Sequence, residues 1–481
     1  MDTTFVRTEQ DRLIGELSDF LRIPSVSALP AHKADCAAAA DWLVAELTRL
    51  GCAKVELIEG PGHPVVWAES PTVEGKPTLL IYGHYDVQPP DPLEEWKTPA
   101  FEPTVKDGVM YARGTADDKG QVYCLLKAYE AVRNAEGVPP LNVHFLFEGE
   151  EESGGRMLSN LLAAEPERVQ ADVALVCDMS YHAKGLPAVY TALRGMCYAE
   201  IQVRTLQRDL HSGEFGGVAP NAIETLCRLL GDLKSEEGEI RIPKLYKQVT
   251  APSKAELRSW KKLPLDRKAY LDEQVTAKAI TGLKRHSIFE RLWALPTFEI
   301  HGIIGGFIGA GAKTVIPATA TAKVSLRLVP GLTYEGTLAL LRKAVKKASP
   351  KWADVHVTSV HGSDPVQVEV GHPSFALLDA AFEEVVGAPM VRKRAGGSIP
   401  IIPELGRLGA PVILTGIGLP DDGLHSPNEK LELEQLWTGI EVFARFFEKL
   451  GAVDAVDAVA TAARDESMAP SAPPTGLSSA P

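Results

Sequence analysis

Residues 79–87 read LLIYGHYDV, a short apolar run, Leu79–Tyr82, that ends on His84 and Asp86. The same form recurs along the chain. VHFLFEGEEESGG at 143–155 runs from Val143–Phe147 into Glu150, Glu151 and Glu152, and DVALVCDMS at 172–180 runs from Val173–Cys177 into Asp178. PVILTGIGLPDDGLHSPNE at 411–429 leads from Val412–Thr415 through a glycine-rich loop to His425. A further acidic stretch, YARGTADDKG at 111–120, sets Asp117 and Asp118 before a helix that starts near Gly120. Apolar runs without alternation suit strands covered on both faces. Such strands alternating with helical patterns imply a mostly parallel, mixed sheet flanked by helices, an α/β fold. In open sheets of this kind sites form beyond the carboxyl ends of the strands, so these acids and histidines are expected to converge on one edge.

Outward from these strands, apolar residues at helical spacing predict a helix over Thr4–Leu21, stopping before Pro24, and another over Lys33–Leu50 with Gly51 as its C-cap. From about Arg194 the texture changes. Tyr198–Val203 and Ala320–Val329 alternate apolar and polar, as one-sided antiparallel strands do, with a long charged stretch, Ser235–Arg291, between them. The helical pattern Phe375–Val386 and the strand at Val412 return to the first texture. The expected organisation is a metal-binding catalytic domain over 1–193 and 375–450, an inserted α+β lid and dimerisation domain over 194–374, and a disordered Ala-, Pro- and Ser-rich tail over 451–481.

The bulk numbers agree with two domains, since 481 residues, 45% of them hydrophobic, exceed what one compact core holds. A formal net charge of -13 argues against nucleic acid and anionic membranes as partners. The most basic stretch, Arg342–Lys351, reads as a solvated helix face. No window approaches the roughly 18 apolar residues of a membrane span. The N-terminal MDTTFVRTEQDR lacks the apolar middle of a secretory signal. Six cysteines without short paired spacing predict no disulfide framework and a cytoplasmic location.

An acid after a strand is usually a helix cap, and a lone histidine is usually structural. Five convergent positions are another matter. Carboxylates crowded without a cation repel, and some must protonate. Imidazole with carboxylate oxygen suits zinc or manganese, and no cysteine is patterned for a thiolate site. Two histidines with several acids, one of them shared, fit a pair of metals about 3.5–4 Å apart.

HYD, ADDKG, EGEEESGG, a strand ending in Asp and GLHSPNE together resemble the co-catalytic zinc exopeptidase and aminoacylase family, over about residues 10–450. The dipeptidase branch is nearest, through LRG at Leu193, DLHSGEFGG at Asp209, GAKTVIP at Gly311, SLRLVP at Ser325 and GGSIP at Gly396. The resemblance implies that Asp117 bridges two divalent metals, that His84 and Asp178 complete one site, and that Glu152 and His425 complete the other. It makes Glu151 the general base acting on a metal-bridging water, with Asp86 holding the His84 ring; Glu150 is then an extra acid. It gives Arg327 the carboxylate of a small peptide substrate, Thr314 and Ser398 hydrogen bonds to the substrate backbone, and His211 the scissile carbonyl. It also implies a cis peptide between Asp117 and Asp118, and a homodimer in which the His211 loop reaches the partner's active site. Zinc is the expected metal, with manganese and cobalt open, since oxygen and imidazole donors accept all three. Two alternatives to dipeptide hydrolysis stay open: deacylation of N-acyl amino acids, and a non-catalytic binding protein.

Overall fold

The computed structural model describes residues 3–136, 139–397, 399, 401–407 and 410–453. The tail from 454, expected to be disordered, and Ser398 lie outside them. The chain folds as two compact units. The first comprises Met1–Val189, Glu369–Val391 and Glu404–Pro481, and the second Tyr190–Val368 and Arg392–Pro403. The sequence reading placed Arg392–Pro403 in the first domain. Backbone and ion-pair contacts account for its place in the second: Ala395 N–H donates to Ala192, Arg194 N–H to Gly397, and Arg394 pairs with Glu256 at 2.7 Å.

The first unit is built on a six-stranded sheet in the order Lys54–Ile58, Val65–Glu69, Asn142–Glu148, Thr78–His84, Val173–Cys177, Val412–Thr415. The last four run parallel, and the first two are antiparallel at one edge. The four apolar runs of the sequence are thus adjacent strands, and every residue of Val173–Cys177 and Val412–Thr415 is buried. Their parallel registers, His84 beside Glu148 and Cys177 beside Thr415, bring the carboxyl ends together.

The helix Lys119–Glu136 packs on the central strands and on Leu433–Gly451, which in turn packs on Pro373–Val386. Val122, Tyr123, Leu125, Leu126 and Tyr129 are all fully buried, as in a helix covered on every side. Lys127 of that helix is also fully buried, and its ammonium pairs with Glu16 and Glu46 at 2.6 Å and Glu130 at 3.1 Å. Gly51 closes the helix Lys33–Arg49 at φ 71°. The first predicted helix is interrupted: Thr4–Thr8 and Gln10–Leu21 are separate, with Glu9 at φ -118° and ψ 32°. Thr8 Oγ1 donates back to the Thr4 carbonyl at 3.1 Å, a bond that bends helices.

The second unit holds a four-stranded antiparallel sheet in the order Thr297–Gly305, Thr319–Leu328, Gly195–Arg204, Asp354–Ser363. Its apolar face packs against the helices Ala222–Leu233 and Tyr334–Ala348. Cys197, Ala199, Ile201 and Val203 point inward, and their neighbours are part-buried or exposed. Arg342, Lys343, Lys346 and Lys347 form the solvated face of the second helix. Among the short helices of the Ser235–Arg291 stretch and its end, Lys254–Trp260 and Ile288–Trp293 are each opened by a capping box and gather round Trp260, Phe289 and Trp293. All six cysteines are free thiols, and Cys227 alone among them is exposed. Among the described residues no helix is long and apolar enough to cross a membrane.

Removing one partner from a buried charge cluster costs about 3–5 kcal/mol. Lys127→Met is expected to lower the unfolding free energy by about 3 kcal/mol, the low end of that range, because Arg12 and Arg49 still face the same acids. Urea titration with unchanged stability would dismiss Lys127 as a stabilising element.

Candidate metal centre

His84 ends its strand with a fully buried ring. Its Nδ1 lies 3.0 Å from the Asp86 carbonyl and 3.3 Å from the Asp86 carboxylate. Its Nε2 lies 3.1 Å from Asp117 Oδ1 and 3.9 Å from Asp178 Oδ1. The other oxygen of Asp117 is 2.9 Å from His425 Nε2, which is 3.2 Å from Glu152 Oε1. The five side chains therefore form one continuous row, Asp178, His84, Asp117, His425, Glu152, with Asp117 in the middle. The donors fall into two groups, His84 with Asp118 and Asp178, and Asp117 with Glu152 and His425; within each, one donor atom per residue lies within 4.8 Å of the others. The Asp117–Asp118 peptide is cis, as the resemblance implies.

Charge at this edge is frustrated. Burial, then the neighbouring acids, push the carboxyls of Asp178 and Glu151 well above the usual range, against the opposing pull of His84. Asp118 is likewise pushed up by burial. Burial also acts against charge on Asp117, but hydrogen bonds from His425 and His84 outweigh it and hold that carboxyl low. His84 is disfavoured as a cation by burial, yet its bonds to Asp117 and Asp86 raise it well above the ordinary imidazole value. Hydrogen bonds to Asp117 and Glu152 raise His425 to about 10. The histidines thus act as counter-cations for acids that cannot all ionise together. Asp118 Oδ1 is buried with no hydrogen-bond partner among the described residues. Oxygen and imidazole donors in this number, with uncompensated negative charge, fit divalent cations.

Asp86 does more than the sequence suggested. Its two oxygens accept the backbone N–H groups of Glu151 and Glu152 at 3.2 and 3.1 Å and the Ser27 hydroxyl at 2.5 Å, so it ties the glutamate turn to the His84 ring. Glu150 faces elsewhere, accepting the backbone N–H groups of His63 and Met157 at 3.1 and 2.9 Å. Sequence reasoning gave no role to Gln88, which donates to Glu152 at 2.8 Å, or to Asp118, which accepts the His84 backbone N–H at 3.1 Å. Asp118 was visible in the ADD motif; nothing in the sequence singled out Gln88.

His211, Thr314 and Arg327, which the resemblance assigns to substrate, belong to the second unit. His211 pairs with Val315 in a short antiparallel ladder, and Ser212 N–H donates to the Thr314 carbonyl at 3.1 Å, so His211 and Thr314 are neighbours and both exposed. Arg327 is part-buried on the Thr319–Leu328 strand.

A model of peptidase family M20/M25/M40 matches residues 80–449. This chain belongs to that family. It is similar to the Cys-Gly metallodipeptidase dug1 of Schizosaccharomyces pombe, with 34% identity over 92% of this chain and 97% of the relative. It is also similar to the human Beta-Ala-His dipeptidase, with 30% identity over 92% of this chain and 91% of the relative. The solved structure of the di-peptidase Dug1p from Saccharomyces cerevisiae superposes with a TM-score of 0.81 at 27% identity, covering 94% of this chain and 98% of that one. The protein is a metallopeptidase of the dipeptidase type.

In this M20 peptidase the turn carrying Asp117 closes on a glycine. A Cβ at Gly120 would sit 1.9 Å from the Thr115 carbonyl oxygen, so backbone must move. Gly120→Ala is expected to cost about 1–3 kcal/mol of stability, as overpacking does, and to lower hydrolysis with it. A variant with wild-type denaturation midpoint and turnover would show that the turn has room.

Proposed function

We propose that the chain is a two-metal dipeptidase that cleaves the peptide bond next to a free carboxylate. The observation that carries this reading is the row Asp178, His84, Asp117, His425, Glu152, with one carboxylate shared between two imidazoles. His84 and Asp178 would hold one ion, Glu152 and His425 the other, and Asp117 both. Zinc is the proposed metal; the same donors accept manganese or cobalt. Bound there, two divalent ions supply Lewis acidity and lower the pKa of water towards neutrality.

The chain's own residues divide the remaining work. Glu151 takes a proton from the attacking water on its carboxylate and returns it to the leaving amine. Burial raises its affinity for that proton, which suits a group that must hold one between two steps. Asp86 keeps the His84 ring and the Glu151–Glu152 backbone in fixed relation. The Arg327 side chain has no hydrogen-bond or ion-pair partner among the described residues, and a guanidinium fork matches a substrate carboxylate. The dipeptides named for the two relatives, Cys-Gly and Beta-Ala-His, each end in such a group. Thr314 and Ser398 would bind the substrate backbone. His211 would donate to the carbonyl oxygen as it gains charge, from the partner of a homodimer formed by the second unit, which would act as the lid.

Chelation is expected to abolish dipeptide hydrolysis, and about two divalent ions per chain to restore it. Glu151→Gln should keep the metal and lose about 10²–10⁴-fold in turnover, whereas Glu152→Gln should lose metal. Metal analysis giving the opposite pattern would exchange the two roles.

Substrate charge gives an independent test. C-terminally amidated dipeptides should be poor substrates, and Arg327→Ala should narrow the ratio of kcat/KM between free and amidated forms. An unchanged ratio would remove Arg327 from substrate binding.

A further inference from the structure

The side chain of Glu429 is fully buried beneath the row of donors and is not itself one of them. Its Oε1 accepts the backbone N–H groups of Ala116 and Asp117 at 2.9 and 3.1 Å. Its Oε2 accepts the Gly114 N–H at 3.1 Å and the Arg113 guanidinium at 2.8 Å. Arg113 is buried too, donating to the Pro89 carbonyl at 3.3 Å beneath the Trp96 ring. The backbone joins the same segments, since Glu429 O accepts from Ala112 N–H at 3.2 Å and Lys430–Glu432 pairs antiparallel with Val109–Tyr111.

One carboxylate therefore grips the turn Gly114–Asp117 while sitting four residues after His425. The His425 loop has little else of regular structure. His425 and Asn428 both take left-handed φ values, 59° and 64°, and Asn428 is tied to Glu95 and Lys97 rather than to the Asp117 turn. The opposite group is held differently: His84 ends a sheet strand, and Asp178 follows one whose register is fixed by two neighbours in the sheet.

We infer that Glu429 is a positioning residue that sets the separation of Asp117 and His425, and so tunes the affinity of the Asp117, Glu152, His425 group for its ion. This rests on the two-metal reading above. All four groups facing the carboxylate are donors, so an amide in its place points its NH₂ at donors and must release one side of the turn. Groups behind metal ligands typically change affinity by about 10–100-fold when altered.

The test is a calorimetric titration of the metal-free full chain with Zn²⁺ and Co²⁺, alongside its melting temperature. In Glu429→Gln one of the two binding steps is expected to weaken by about 10–100-fold, while the other step stays within about threefold and the metal-free melting temperature within a few degrees. Two unshifted steps would overturn the assignment. So would equal weakening of both steps with a large drop in metal-free melting temperature, the mark of general loosening. Should Glu429→Gln fail to fold, Glu429→Asp keeps the charge beside Arg113 but is one methylene short, and is expected to weaken the same single step. A wild-type chain that binds fewer than two ions overturns the two-metal reading and this assignment together. Two ions in the wild type with no asymmetric shift in the variant overturns the assignment alone.

Discussion

Asp117 lies between two imidazoles, 3.1 Å from His84 and 2.9 Å from His425, and the first unit is arranged so that this contact can exist. The two histidines come from positions more than 300 residues apart in sequence. Here a parallel sheet that returns to the same edge after a long excursion brings them within reach of one carboxylate. Apart from the exposed His425 ring the row is largely buried, so every acid added to it raises the cost of ionising the next. Raised acids beside one depressed acid and two raised histidines are what crowding carboxyls and imidazoles in a largely buried row produces.

The strands were legible because burial on both faces leaves an unmistakable mark. Leu79–Tyr82, Val173–Cys177 and Val412–Thr415 are almost wholly apolar runs, and Val143–Phe147 is broken only by the part-buried His144. The ligand candidates were legible for a related reason: one acid after such a run is ordinarily a cap, but several such positions on strands that share an edge converge. The alternation over Tyr198–Val203 and Ala320–Val329 foretold the one-sided sheet, since period two survives where one face is open.

What escaped the sequence depends on contacts between distant segments. Whether Arg392–Pro403 packs with the second unit is decided by Ala192, Arg194 and Glu256, and no local pattern records those partners. The break at Glu9 turns on a threonine hydroxyl competing for a helical carbonyl. Glu429 stood in the quoted GLHSPNE motif, yet its worth lies in backbone donors of residues 114–117, which a one-dimensional reading cannot orient. The triple Glu150–Glu151–Glu152 shows the same limit on a small scale. Three identical side chains in succession are separated only by what each touches.

The thiols have a consequence for handling the protein. Burial pushes Cys36 and Cys52 up to about 12 and Cys197 to about 11, and Cys124 and Cys177 higher than ordinary thiols as well. Thiolate is the reactive form, so these five are poor targets for oxidants and alkylating reagents. Cys227, exposed on the helix Ala222–Leu233, is left as a native attachment point, where a single fluorophore or spin label can be placed on the second unit without engineering the first.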